Sequence, residues 1–315
     1  MELQQTIRKP VESRGVGLHS GQPVRLVLRP APPDAGILFR LVHRGGTTVA
    51  VQPDSLADSH YATTLGENGC RVQTVEHLLS ATYALGIDNL EVELDANELP
   101  ALDGSARPFV NLLYAAGRRT QDAARRPLHV SEPIRVGDER RWVEIIPAPD
   151  LCVSYTLDLD HPVVGIQAAS FPVTERVFVE EVASARTYGF LRDLERLREN
   201  GLAKGGSLEN AVVLGSGGIL NGHLRFRDEF VRHKILDLIG DLALLGRPVV
   251  GHVVARNAGH ALNHQLVTEL YRRELAGRLS AMGWARTLRR SGRPLKKPRR
   301  AEAGAVQDVP GLVAL

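Results

Sequence analysis

The chain has 315 residues, 43% hydrophobic and 24% charged, which allows about two globular domains and excludes a disordered or fibrous protein. No run approaches the roughly 18 apolar residues of a membrane span, and MELQQTIRKPVES lacks the layout of a secretory leader. Two cysteines, Cys70 and Cys152, make no disulfide framework, so a cytoplasmic location is expected. The net charge of +3 hides an asymmetry: eight basic residues and no acid lie between Arg286 and Arg300, and the rest is net acidic. That distribution argues against a nucleic-acid-binding face.

Short alternating runs open the chain. Leu3 to Val11 leads into the turn-rich GVGLHSG of residues 15–21. Val24 to Leu28 alternates and is ended by Pro30, Pro32 and Pro33, and Ile37 to Val42 is a further strand. Short strands separated by turns predict an antiparallel sheet. QTVEHLLSATYAL, residues 73–85, is apolar nearly all round and predicts a buried helix. It carries Glu76 and His77, an ionisable pair that such a helix tolerates only with partners. The simplest reading is a satisfied core histidine beside an exposed Glu. Asn89 to Leu94 is a strand. In ELPALDGSARPFV, Asp103-Gly104 signals a turn, Ser105 or Asp103 caps the next helix, and Pro108 fits its first turn. That helix stops at Gly117.

Arg118 to Arg126, RRTQDAARR, is polar without apolar periodicity and reads as a domain linker. The pattern then restarts with strands over 128–136, 142–146 and 151–159 and a helix from Glu175 to Val182. SARTYGF (184–190) follows, then an amphipathic helix over 191–200 stopped by Gly201, and a strand at 211–214. His161 before Pro162 ends a strand. Gly215, Gly217 and Gly218 form a loop without the pattern of a phosphate cradle. A helix over 227–246, a strand over 249–255 and a helix from GHALNH (259–264) to about Leu279 complete the half. The element order predicts an α+β fold of two similarly built domains, residues 1–120 and 127–280, each a mostly antiparallel sheet packed on helices. Residues 286–315 read as a basic, disordered tail that could also meet anionic lipid.

The 227–246 helix concentrates the chemistry. At about 100° per residue, Val231, Leu238, Leu242 and Leu245 share one arc. His233, Asp237 and Asp241 share the opposite arc, with Lys234 at its edge. A solvated face would carry the same residues. The i, i+4 spacing of His233 and Asp237 also suits one metal ion, and His77 is the best third ligand because Glu76 stands beside it as a base. Spacing alone leaves both readings open, a surface pair or a ligand pair.

TVEHLLSA with LGIDNLEVEL, LDGSARPFV, SARTYGF, GLAKGGSLENAVVL, LRFRDEFVRHKILDLIGDLALLG and GHALNH occur in this order, preceded by GVGLHSG. Together they resemble the bacterial UDP-3-O-acyl-N-acetylglucosamine deacetylases, zinc amidases at the committed step of lipid A synthesis. The resemblance spans residues 15–264 and implies an active site between the two domains. It implies zinc on His77, His233 and Asp237, Glu76 as general base, and His260 as general acid with Asp241 as its electrostatic partner. Thr187 would stabilise the oxyanion and Lys234 contact the substrate's diphosphate. Tyr188, where many members carry Phe, would lie against the sugar. Leu18 and the 201–207 segment, with Ala203, would line the acyl-chain passage, Lys204 snorkelling outward.

The implied reaction is hydrolysis of the N-acetyl group of UDP-3-O-(3-hydroxyacyl)-N-acetylglucosamine to acetate and a free amine, by a monomer. Iron(II) suits a two-histidine, one-carboxylate set as zinc does. His264, one turn beyond His260, reads as peripheral, and His19 is given no role. The rivals are a metal amidase with another N-acyl substrate and a non-enzymatic binding protein whose His233 and Asp237 are a surface pair.

Overall fold

The computed structural model describes residues 2–287. Each half contributes a five-stranded sheet. In the first, the strands lie in the order Val11–Val16, Pro23–Pro30, Leu90–Leu94, Ile37–Leu41, Thr47–Ala50. In the second, the order is Ile134–Gly137, Trp142–Ile146, His252–Arg256, Cys152–Asp158, Ile166–Pro172. Numbered within its own half, each sheet therefore runs 1-2-5-3-4. Each has a single parallel contact, between its third-numbered and last strands, and is otherwise antiparallel. The two halves thus share a topology as well as an element order, and the α+β reading of two similar sheets packed with helices holds.

The sheets are faced by helices that meet one another. Glu76–Ala84 and Glu229–Leu242 pack together along their length. They come close because of Gly240: a Cβ there would collide with the Glu76 carbonyl. Glu229–Leu242 also lies on Cys152–Asp158 and Ile166–Pro172, while the helix beginning at His260 covers Ile134–Gly137 and Trp142–Ile146. Every residue of Glu229–Leu242 except Arg232 is buried. Its Leu and Ile side chains each contribute about 1.5–3 kcal/mol of hydrophobic stabilisation. Its polar arc is equally enclosed, so the solvated-face reading fails. Glu76 is buried too, at 3% exposure, which overturns the reading of an exposed Glu.

Several boundaries differ from expectation. The presumed linker is a strand, Arg118–Ala124, paired antiparallel with Leu3–Ile7. A ribbon exposed along most of its length needs backbone pairing rather than apolar alternation, so its polar sequence concealed it. The expected 128–136 strand is two, Leu128–His129 and Ile134–Gly137, and the 249–255 strand breaks at Gly251. Ile166–Pro172 was not anticipated. The expected 175–182 helix is one α turn continued by a π turn through Val182. Helix Arg107–Ala116 starts with Pro108 in its first turn and closes at Gly117 (φ 68°), as read, but its N-cap is Ala106, with no side-chain cap. The last helix runs His260–Thr287, beyond Leu279. The basic tail from residue 288 onward lies outside the described residues.

Candidate active site

The site forms where the two packed helices meet the start of the His260 helix. Glu76 and His77 occupy the first turn of their helix, entered through Thr74 in the left-handed region (φ 59°). A β-branched residue there is strained. Its hydroxyl donates to buried Glu98 at 3.0 Å, and that carboxylate also accepts from the backbone N–H groups of His19 and Ser20, each at 2.8 Å. SARTYGF is pinned by a buried ion pair, Arg186 Nε to Glu229 Oε1 at 2.8 Å and Nη2 to Oε2 at 3.1 Å. Thr187 is then fixed by its backbone, donating to Gly104 O and accepting from Val212 N–H, each at 2.8 Å.

His77, His233 and Asp237 converge, with one donor atom from each within 4.8 Å of the others. His77 Nε2 lies 3.7 Å and His233 Nε2 3.3 Å from Asp237 Oδ1. Ligands about 2.0–2.1 Å from a tetrahedral ion stand roughly 3.3 Å apart, so this spacing suits a metal. The hydrogen bonding agrees. His233 Nδ1 lies 3.1 Å from Ala185 O, which can only accept, so Nδ1 carries the hydrogen. Burial lowers the His233 pKa to about 3, against the pull of Asp237, and the ring is neutral at pH 7. Its Nε2 lone pair therefore faces a carboxylate oxygen. Two such acceptors at 3.3 Å repel unless a cation lies between them. Burial pushes Asp237 upward, and the Lys234 ammonium beside it favours the charged carboxylate.

A second group of the same residue types lies one turn along. Asp241 Oδ2 accepts from His260 Nδ1 and from Asn263 Nδ2, each at 2.8 Å. Oδ1 accepts from Thr63 Oγ1 at 2.5 Å and lies 3.2 Å from His264 Nε2. These atoms are occupied with one another and need no ion. Burial opposes the charged form of His260, but the Asp241 carboxylate outweighs it and raises the pKa to about 9. Burial likewise raises Asp241, and the two histidines reverse this and hold it far below its ordinary value. His260 is thus a cation near neutral pH. Its other nitrogen, Nε2, lies 3.8 Å from Glu76 Oε1. Burial pushes Glu76 above the usual carboxylate range, against the pull of His260 and His77.

The remaining expected residues surround these two groups. Lys234 Nζ donates to Asp237 Oδ2 at 3.2 Å and lies 5.6 Å from the centre of the Tyr188 ring. Tyr188 is buried, edge-on to Phe230 at 5.0 Å and to His233 at 6.4 Å between ring centres. Its hydroxyl has no hydrogen-bond partner among the described residues. Leu18 and Ala203 lie on loops joined by backbone hydrogen bonds, Gly205 N–H donating to Leu18 O at 3.0 Å and Lys204 N–H to His19 O at 3.1 Å, and Lys204 is exposed. His264 is not peripheral: it is buried against Asp241. Thr63, Asn263 and Glu98 were not anticipated. Asn263 and His264 could have been found from their spacing after His260, whereas Thr63 stands in no recognisable pattern.

Two imidazoles and a carboxylate arranged for a cation, beside a raised carboxyl and a cationic histidine, define a metal-dependent hydrolase. The family model described as UDP-3-O-acyl N-acetylglycosamine deacetylase matches residues 4–272. A UDP-3-O-acyl-N-acetylglucosamine deacetylase of Myxococcus xanthus is 49% identical over 269 residues, covering 85% of this chain and 86% of the relative. Proteins of the same name from Anaeromyxobacter sp. (48% over 268 residues; 85% and 88%) and Syntrophotalea carbinolica (45% over 273; 86% and 88%) are also similar. The chain belongs to the UDP-3-O-acyl N-acetylglycosamine deacetylase family.

Proposed function

We propose that this chain hydrolyses the N-acetyl group of UDP-3-O-(3-hydroxyacyl)-N-acetylglucosamine, giving acetate and the free 2-amine, the step that commits the acylated sugar to lipid A. The observation that carries the reading is the meeting of His77, His233 and Asp237 with Glu76 and the His260–Asp241 pair. His77, His233 and Asp237 hold the metal, proposed to be zinc. When bound, the ion acidifies water and polarises the amide carbonyl. Glu76 takes the proton from the attacking water, a task its raised pKa suits. Thr187 donates its hydroxyl to the oxygen on which negative charge develops. His260 gives its proton to the departing nitrogen as the C–N bond breaks, and Asp241 keeps it charged until then. Lys234 meets the diphosphate, Tyr188 the sugar, and Leu18 with Ala203 the acyl chain.

The enzyme is further proposed to act as a cytoplasmic monomer, its two halves dividing after the Arg118–Ala124 strand. Among the described residues no helix is long and apolar enough to cross a membrane. The test is incubation with UDP-3-O-acyl-N-acetylglucosamine, assay of the released amine, and elemental analysis of the purified protein. Stoichiometric zinc and amine release that is lost in Glu76→Ala and His260→Ala support the reading. Stoichiometric iron would replace the metal assignment. Bound metal without amine release would point to a different N-acyl substrate.

A further inference from the structure

We propose that His264 is a positioning residue of the acid–base pair: it shares the Asp241 carboxylate with His260 and so limits how firmly that carboxylate holds the His260 proton. The inference rests on His260 being the general acid.

The hydrogens decide the arrangement. Thr63 Oγ1 lies 2.5 Å from Asp241 Oδ1, so its one hydrogen goes to the carboxylate. Its oxygen is then an acceptor. His260 Nδ1–H is committed to Oδ2 at 2.8 Å. His264 Nε2 faces Thr63 Oγ1 at 3.0 Å and Asp241 Oδ1 at 3.2 Å, both acceptors, so it must carry a hydrogen whether the ring is neutral or charged. The two rings stand one turn apart on the same helix, with centres 6.0 Å apart and planes tilted by 37°.

One buried carboxylate therefore serves His260, Asn263, Thr63 and His264. Each donor takes a share of the negative charge that would otherwise act on His260. A neutral His264 does so through its N–H, and a charged one does so more strongly and also repels His260. Both cases give the same sign: removing His264 strengthens the hold on the His260 proton.

The surrounding charges come from this helix and from the elements packed against it. Glu76 lies 3.8 Å from His260 Nε2, and His19 and Asp237 also act on that ring. His264 reaches the wall of a cleft of about 420 Å³. Arg135, Glu269 and Arg273 are the charged groups there, with Glu269 held by Arg272 and Arg273, Arg273 also paired to Glu132, and Arg135 stacked on Trp142. None of these is altered by a substitution at 264.

The test is the imidazole titration of His260, followed by NMR in the zinc-loaded protein, beside the pH dependence of kcat/KM. In His264→Leu, which has no donor, the His260 transition and the alkaline limb of the profile should both move up by about one pH unit. In His264→Gln, whose amide can donate to Asp241, most of that shift should be restored. An unmoved or lowered His260 transition in His264→Leu overturns the proposal. If the leucine variant does not fold, His264→Asn and His264→Gln must order by their donor reach, and identical titrations in both and in the wild type overturn it. The titration does not depend on turnover, so failure of the wild type to release amine would overturn the proposed function while leaving this inference tested.

Discussion

Two clusters anchored on one helix, by Asp237 and by Asp241, are built from the same kinds of side chain and do opposite things. Around Asp237, the His233 Nε2 presents a lone pair to a carboxylate, and the group is arranged for a cation. Around Asp241, every facing atom brings a hydrogen, and the carboxylate is satisfied within the protein. What separates them is which ring nitrogen is tied elsewhere. His233 spends its Nδ1 hydrogen on Ala185 O and offers Nε2 as an acceptor, whereas His260 spends its Nδ1 hydrogen on the carboxylate itself. Residue type defines neither a metal site nor a proton-holding site; which nitrogen carries the hydrogen, and what it is given to, does.

The contrast can be broken most forcefully on the metal side. His77→Ala or Asp237→Ala should abolish stoichiometric metal and cut amine release by about a thousandfold or more, while Asp241→Ala should leave metal content near that of wild type. Equal metal loss in both clusters, by elemental analysis, would erase the distinction. Next in size, Glu76→Gln and His260→Ala should each cost about 10²- to 10⁴-fold in kcat with the metal still bound.

Asp241→Asn should move the alkaline limb of the rate profile downward, because the charge that raises His260 to about 9 is gone. The same pair governs stability. The folded His260 titrates above its ordinary value of 6.5, so its contribution is fully present below about pH 6.5 and is lost as pH rises through about 9. Denaturant unfolding between pH 6 and 10 should reveal that loss in wild type and a weaker one in Asp241→Asn. The smallest effect belongs to Tyr188→Phe, which removes a buried hydroxyl that has no partner among the described residues. Its stability should change by less than about 1 kcal/mol, or rise slightly, and a severalfold increase in KM would assign the hydroxyl to the substrate.

The sequence made the helices around Glu76 and Asp237 readable, because strongly apolar runs of helical length have few alternatives. It left the fate of the polar arc open, since periodicity orders side chains about an axis without saying what covers them. His77 and His233 are far apart in the chain, and only the resemblance placed them together. His264 was misread because a histidine one turn from a functional one has the same spacing whether it faces solvent or a carboxylate. Thr63 left no trace, being a hydroxyl in an irregular segment. The polar ribbon at Arg118–Ala124 was hidden for a different reason: its backbone pairing with Leu3–Ile7 requires nothing of its side chains. The matching strand order of the two sheets is likewise a property of pairing across the chain, beyond the reach of local pattern.

Gly240 has a consequence for how this molecule can vary. Its missing side chain lets one helix rest on the carbonyl of the residue that opens the other, so the proposed base and the proposed ligands are held across one close backbone approach within the longer helix contact. The same contact means that the halves, however alike in outline, are not interchangeable parts: grafting either onto another partner would have to reproduce one glycine against one carbonyl before any chemistry could return.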